Sequence, residues 1–163
     1  MTNSEIKYIN VWQNCPEKWQ TATKDFWRIL NILPDEAAFI TRLEQLCTLA
    51  IDGDELIAVS TAFKVHYQPL RCDLYFFRCL VLPDYRRQSI ARHLAVNCRD
   101  NLQHWVSDNP KKAAAGMATV VESPNLTDLS HQAVWPASGL NLVGYTQQGQ
   151  QVRVVWFKDV LLD

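Results

Sequence analysis

The chain is short of glycine. Its 163 residues include five, at positions 53, 116, 139, 144 and 149, and none falls in a phosphate-binding pattern. Neither G-x-G-x-x-G nor a turn ending in G-K-[ST] is present, so a Rossmann dinucleotide site and a P-loop are both excluded. An excess of one charge is also missing. Sixteen Lys and Arg stand against seventeen Asp and Glu, for a net charge of −1 and a pI near 6.4. A nucleic-acid coat or a binder of anionic membranes needs a basic surface, so neither partner is expected. The five cysteines, at 15, 47, 72, 79 and 98, are odd in number and scattered, with no C-x-x-C pair. That spacing indicates neither a disulfide framework nor a zinc site, and no metal is expected. Long apolar runs are lacking too: the most apolar stretch, 74–82, is interrupted by Arg78 and is far too short to span a bilayer. With no charged-then-apolar leader at the N-terminus, the expectation is a soluble, cytoplasmic protein with reduced thiols.

What is present is apolar residue in regular patterns. An apolar content of 48% over this length suits one domain, 1–163, with a substantial core. Residues 6–12 are rich in β-formers and predict an opening strand. Pro16 then suits a first helical turn, and Trp19, Thr23, Phe26 and Leu30 follow at helical spacing up to Pro34. Asp35 is placed to start a second helix whose apolar positions are Phe39, Leu43 and Leu46. Segments 48–51 and 56–65 flank Asp52-Gly53-Asp54-Glu55, a hairpin signal, and 73–82 gives a further strand. Ile90, Leu94, Cys98, Leu102 and Val106 repeat every four residues and predict a long helix with one apolar stripe. A strand at 114–122, parallel to its predecessor across that helix, follows. A short helix at 126–135, stopped before Pro136, and a terminal hairpin of 140–146 with 151–160 complete the order.

The junction between the 73–82 strand and the long helix carries the chemistry. It reads Val81-Leu82-Pro83-Asp84-Tyr85-Arg86-Arg87-Gln88-Ser89-Ile90-Ala91. The first N–H groups of a helix have no intrahelical acceptor and sit at the positive end of its dipole, so the junction is a candidate anion site. Arginine is concentrated nearby, at 86, 87, 92 and 99. On a plainer reading the segment is a turn opened by Pro83 and a helix capped by Ser89.

This segment resembles the acyl-CoA-binding signature of the GNAT superfamily of N-acetyltransferases. Val81, Pro83, Arg86 and Ala91 match that signature, while Ser89 stands where it usually has its first glycine. The order of strands and helices is similar to the GNAT fold over nearly the whole chain. The resemblance implies an α/β (α+β) architecture: a mixed central sheet of six to seven strands, flanked by about four helices, with the fourth and fifth strands splayed apart. It implies acetyl-CoA as cosubstrate. Its pantetheine arm would pair with the backbone of Leu80, Val81 and Leu82. The pyrophosphate would rest on the N–H groups of Arg87, Gln88, Ser89, Ile90, Ala91 and Arg92, with Arg86 adding charge.

The activity implied is transfer of an acetyl group to a primary amine, directly in a ternary complex, with a small-molecule or peptide amine as acceptor. Such a transfer needs aligned reactants, a donor for the developing oxyanion and removal of a proton from the ammonium. A free lysine amine, with a pKa near 10.4, is about one part in a thousand nucleophilic at neutral pH without help. Many GNAT enzymes carry a Glu on the fourth strand for this, yet 74–82 contains no carboxylate. Many carry a Tyr four residues before a Gly, where this chain has Trp135 before Gly139. The candidates that remain are Glu122, at the end of the fifth strand, and His131, on the helix that follows. His66 and Tyr67 end the third strand as further polar residues, and Trp135, Trp156 and Phe157 are aromatic candidates for an acceptor pocket. The missing Glu and Tyr also motivate a second reading, a GNAT-like protein that binds an acyl-CoA without turning it over. The open edge of the terminal hairpin offers a contact for a homodimer.

Overall fold

Short polar signals set the element boundaries, and buried side chains set the pairing. The computed structural model describes residues 5–122 and 131–162. Seven strands form one mixed sheet in the order β1-β2-β3-β4-β5-β7-β6, accompanied by three α-helices among the described residues. By its internal contacts the chain divides into two compact units, Met1–Ala62 with Cys79–Asn101, and Phe63–Arg78 with Leu102–Asp163. Strands β3 (Glu55–Tyr67) and β4 (Cys72–Val81) and helix α3 (Ile90–Asp108) contribute residues to both.

The first unit holds β1 (Lys7–Asn10), α1 (Glu17–Leu30), α2 (Glu36–Leu43) and β2 (Leu46–Asp52). Pro16, which has no N–H to leave unsatisfied, precedes α1, and Asn31 ends it in the left-handed conformation with φ 50°. Thr23, Phe26 and Trp27 form its buried stripe. Helix α2 starts where Asp35 accepts a hydrogen bond from the Ala38 N–H at 2.9 Å. It stops at Leu43, so Leu46, expected on this helix, opens β2 instead. Residues 46–51 are all buried. A helix with one apolar stripe exposes part of such a run, whereas a strand covered on both faces hides all of it. One face of β2 joins Phe26, Trp27, Phe39 and Val59 in a core cluster. On α3, Cys98 Sγ lies 2.9 Å from Cys47 Sγ of β2. Strands β1, β2 and β3 are antiparallel, and Gly53, at φ +60°, turns the β2–β3 hairpin.

The second unit holds β5 (Gly116–Val120), β6 (Asn141–Tyr145) and β7 (Gln151–Trp156). Strand β5 runs parallel to β4 and antiparallel to β7, and β7 is antiparallel to β6. Gly116 permits the β5–β7 approach: a Cβ there would lie 2.3 Å from the Val155 carbonyl oxygen. Leu74, Ala115, Ala118 and Val154 form the centre of this unit's core.

Arg153 of β7 is fully buried. Its guanidinium lies 4.2 Å from the Trp135 ring centroid and donates to the Gln132 carbonyl at 2.8 Å, to the Leu140 carbonyl at 3.4 Å and to Gln151 Oε1 at 2.9 Å. Burial lowers its pKa. The charge is kept because backbone oxygens and a ring face replace water around it. Of the helix expected at 126–135, residues 126–130 lie outside the described ones. The described remainder is no α-helix: Val134 bridges to Asn141, so His131 lies off any α-helix. Among the described residues no helix is long and apolar enough to cross a membrane.

Candidate functional site

In the first unit, β4 passes into a 3-10 turn, Pro83–Tyr85, and then into the loop before α3. The turn is tied down at both ends. The Tyr85 hydroxyl donates to Asp52 Oδ2 at 2.9 Å and to Glu55 Oε2 at 3.4 Å. That bond to Asp52 is the main reason the phenol is pushed up to about 12, since ionisation would set an anion against the carboxylate. Arg86 Nε donates to the Val81 carbonyl at 3.2 Å.

Between these anchors and the helix the backbone torsions alternate in sign. Arg86 has φ −66°, Arg87 +71° and Ser89 +61°, while Gln88 is not among the positive-φ residues. Two positive-φ residues this close together bend the chain sharply ahead of the helix. No N–H from Arg87 to Arg92 meets an acceptor among the described residues, and the first helical bond from α3 into the loop is His93 N–H to the Ser89 carbonyl at 3.1 Å. The side chains of Arg87 and Arg92 are exposed and make no ion pair there. Ser89 sits in the left-handed region that favours glycine, which fits the glycine of the GNAT signature at that place and leaves serine under strain. Ser89 holds the cap position through its carbonyl, while its hydroxyl makes no capping bond among the described residues. Arg99 pairs with Asp100 at 2.9 Å, about 13 Å along α3 from its start.

The three residues expected to pair with the pantetheine arm differ. Leu82 is engaged: its N–H donates to the Ile57 carbonyl at 2.9 Å, and its own carbonyl accepts from the Tyr85 N–H at 3.0 Å. Alternate residues of a strand direct their backbone groups to the same side, so Leu80 also faces β3 and Val81 faces the other edge. Of the three, only Val81 has the direction such pairing requires.

In the second unit, the β4–β5 ladder runs Leu74–Gly116, Tyr75–Met117, Phe76–Ala118 and stops, although β4 continues through Arg78 and β5 to Val120. The expected splay begins there. Thr119 Oγ1 donates to the Phe77 carbonyl at 3.2 Å, and a pocket of about 220 Å³ opens between residues 76–78, Val120, Glu122 and the β6–β7 turn residues Thr146 and Gln150. Glu122 thus lies at a cavity. His131 is exposed and does not line it. His66 is held by Asp73, Nδ1 to Oδ1 2.8 Å; Tyr67 packs on Phe76, Trp135 lies against Arg153 and Phe157 is buried. Arg78, Thr146 and Gln150 were not expected here. The signal for Arg78 was a charge inside an otherwise apolar strand. No group of three or more His, Cys, Asp or Glu among the described residues is placed to hold a metal ion.

No protein-family model and no curated protein matches the sequence. Solved structures do match. An acetyltransferase of the GNAT family from Streptococcus pneumoniae superposes with a TM-score of 0.60 at 9% identity, over 93% of this chain and 99% of that one. A ribosomal-protein-S5-alanine acetyltransferase from Vibrio fischeri gives 0.59 at 9% identity, over 94% of each chain. An Arabidopsis thaliana protein in complex with the bisubstrate analogue CoA-Ac-MVNAL gives 0.52 at 13% identity, over 91% and 95%. The chain has the GNAT fold, with the mixed seven-stranded sheet of these acetyltransferases.

Proposed function

We propose that the protein is an N-acyltransferase that binds acetyl-CoA through the loop before α3 and passes its acetyl group to a primary amine. The row of amides from Arg87 to Arg92 without acceptors among the described residues carries this reading. Six N–H donors in a row, with exposed arginines at 87 and 92, match a pyrophosphate in number and charge. Arg86 serves mainly through its bond to Val81, which fixes the start of the loop. Acetyl-CoA supplies the activated thioester. The chain supplies the phosphate grip and, at Glu122, a carboxylate to take the ammonium proton. The GNAT fold supports this reading, because neighbours of that fold include acetyltransferases and one bound to a CoA analogue. A non-catalytic acyl-CoA binder is the second reading, favoured by Trp135 at the place of the customary Tyr, where it lies against Arg153.

Thermal unfolding with and without acetyl-CoA tests the binding. At about 100 times its dissociation constant the ligand stabilises the native state by roughly 2.7 kcal/mol. Ala91→Glu, which sets a carboxylate among the exposed amides, abolishes the shift while the protein still folds. Absence of any shift in the wild-type protein would defeat both readings. Free-thiol release in the presence of amines then separates enzyme from binder.

A further inference from the structure

The pocket of the second unit contains two opposite charges that are both unspent. Arg78 makes no ion pair and no hydrogen bond among the described residues, and neither does Glu122. Both line the same cavity, and they do not pair with each other. Arg78 is nonetheless held: its guanidinium lies 4.7 Å from the Phe63 ring centroid. A contact with a ring face uses none of the guanidinium N–H donors, which stay available to take a carboxylate by two parallel bonds. Thr146 and Gln150 add polar atoms at the turn. Thr146 Oγ1 and Gln150 Oε1 lie 3.4 Å apart, and the Gln150 side-chain amide nitrogen has no partner among the described residues.

The cavity is also small. About 220 Å³ falls below the roughly 300–1,000 Å³ of pockets that take drug-sized ligands. A polypeptide terminus would bring one ammonium and no nearby carboxylate, leaving Arg78 unmatched.

We infer that the acceptor is a small zwitterion, a free α-amino acid or a close analogue, with its carboxylate on Arg78 and its ammonium on Glu122. The inference rests on the N-acyltransferase reading above and names its substrate class. Glu122 takes one proton from the ammonium, and the amine nitrogen forms its bond to the thioester carbonyl carbon. The carbon–sulfur bond then breaks with its electron pair going to sulfur, and the thiolate takes the second proton from nitrogen. The products are an N-acetyl amino acid and CoA thiol, with one proton released from Glu122 to solvent.

The test offers the purified protein acetyl-CoA with each L-amino acid and, in parallel, with the amine left by removing its carboxylate, and reads free thiol. The best amino acid is expected to exceed its decarboxylated amine in kcat/KM by about ten- to hundred-fold, the range of a charge-assisted bond. Arg78→Gln collapses that gap through KM, and Arg78→Lys restores part of it, which a merely structural role would not produce. Equal use of both acceptors, or preference for the amine, overturns the inference and leaves N-acyl transfer standing. Acetyl-CoA binding with no acetylation of any amino acid also overturns it. Failure of the underlying reading is distinguished by the missing thermal shift with acetyl-CoA.

Discussion

Ser89 is the position where residue chemistry and backbone demand diverge. The chain takes a positive φ there, as it does at Arg87, and glycine reaches that conformation without a Cβ clash. The Ser89→Gly variant should therefore gain about 0.5–1 kcal/mol, strain relief outweighing the added freedom of the unfolded chain. Urea unfolding checks the gain, and a loss of stability would mean that serine is unstrained. The departure from the family pattern was legible in the sequence, but its meaning was not, because torsion angles are absent from a string of residue types. Tyr85 makes the same point. As a letter it is a turn residue, and only the folded β2–β3 hairpin brings Asp52 and Glu55 to its hydroxyl.

At the scale of elements, boundaries followed local signals where one residue could act alone. Pro16, Asp35 and Gly53 mark two helix starts and a hairpin within a residue or two of their expected places. Local pattern failed at Leu46, where helical spacing continued past the end of α2 and burial on two faces decided for a strand. It failed again at 131–135, where the described chain bridges to β6 and is held by Arg153. Strand pairing depends on close approach as much as on pattern, and Gly116 shows how. Gly116→Ala would press a Cβ into the Val155 carbonyl, so the β5–β7 pair must shift. A loss of about 1–3 kcal/mol is expected, the usual cost of forcing extra atoms into a packed site, measured as a lower denaturation midpoint. An unchanged midpoint would show that β7 yields freely.

For the molecule as a whole, stability should depend on pH through thiols kept protonated by burial. Burial pushes Cys79 up from 9.0 to about 12, and raises Cys98 well above its ordinary value, chiefly by desolvation. A raised folded pKa means that the unfolded chain releases its proton first. The contribution is therefore fully present below pH 9.0 and is lost as pH climbs from there toward 12. The melting temperature should fall over that window, and Cys79→Ala should fall less steeply than wild type. Parallel curves for the two proteins would remove Cys79 from the account.

The sequence by itself determined the order of the strands, the three described α-helices, the turn between β4 and α3 and the absence of nucleotide-binding glycine patterns. Each of these depends on neighbours within a few residues. Tertiary structure alone decided that the Leu82 N–H turns toward β3, that Arg99 pairs with Asp100 along α3, and that Arg78 and Glu122 share one cavity. Those facts depend on which strand lies beside which and where the β4–β5 ladder stops. Local chain chemistry encodes a helix terminus, whereas a pocket formed by residues 76, 122 and 150 exists only once burial has brought distant segments together.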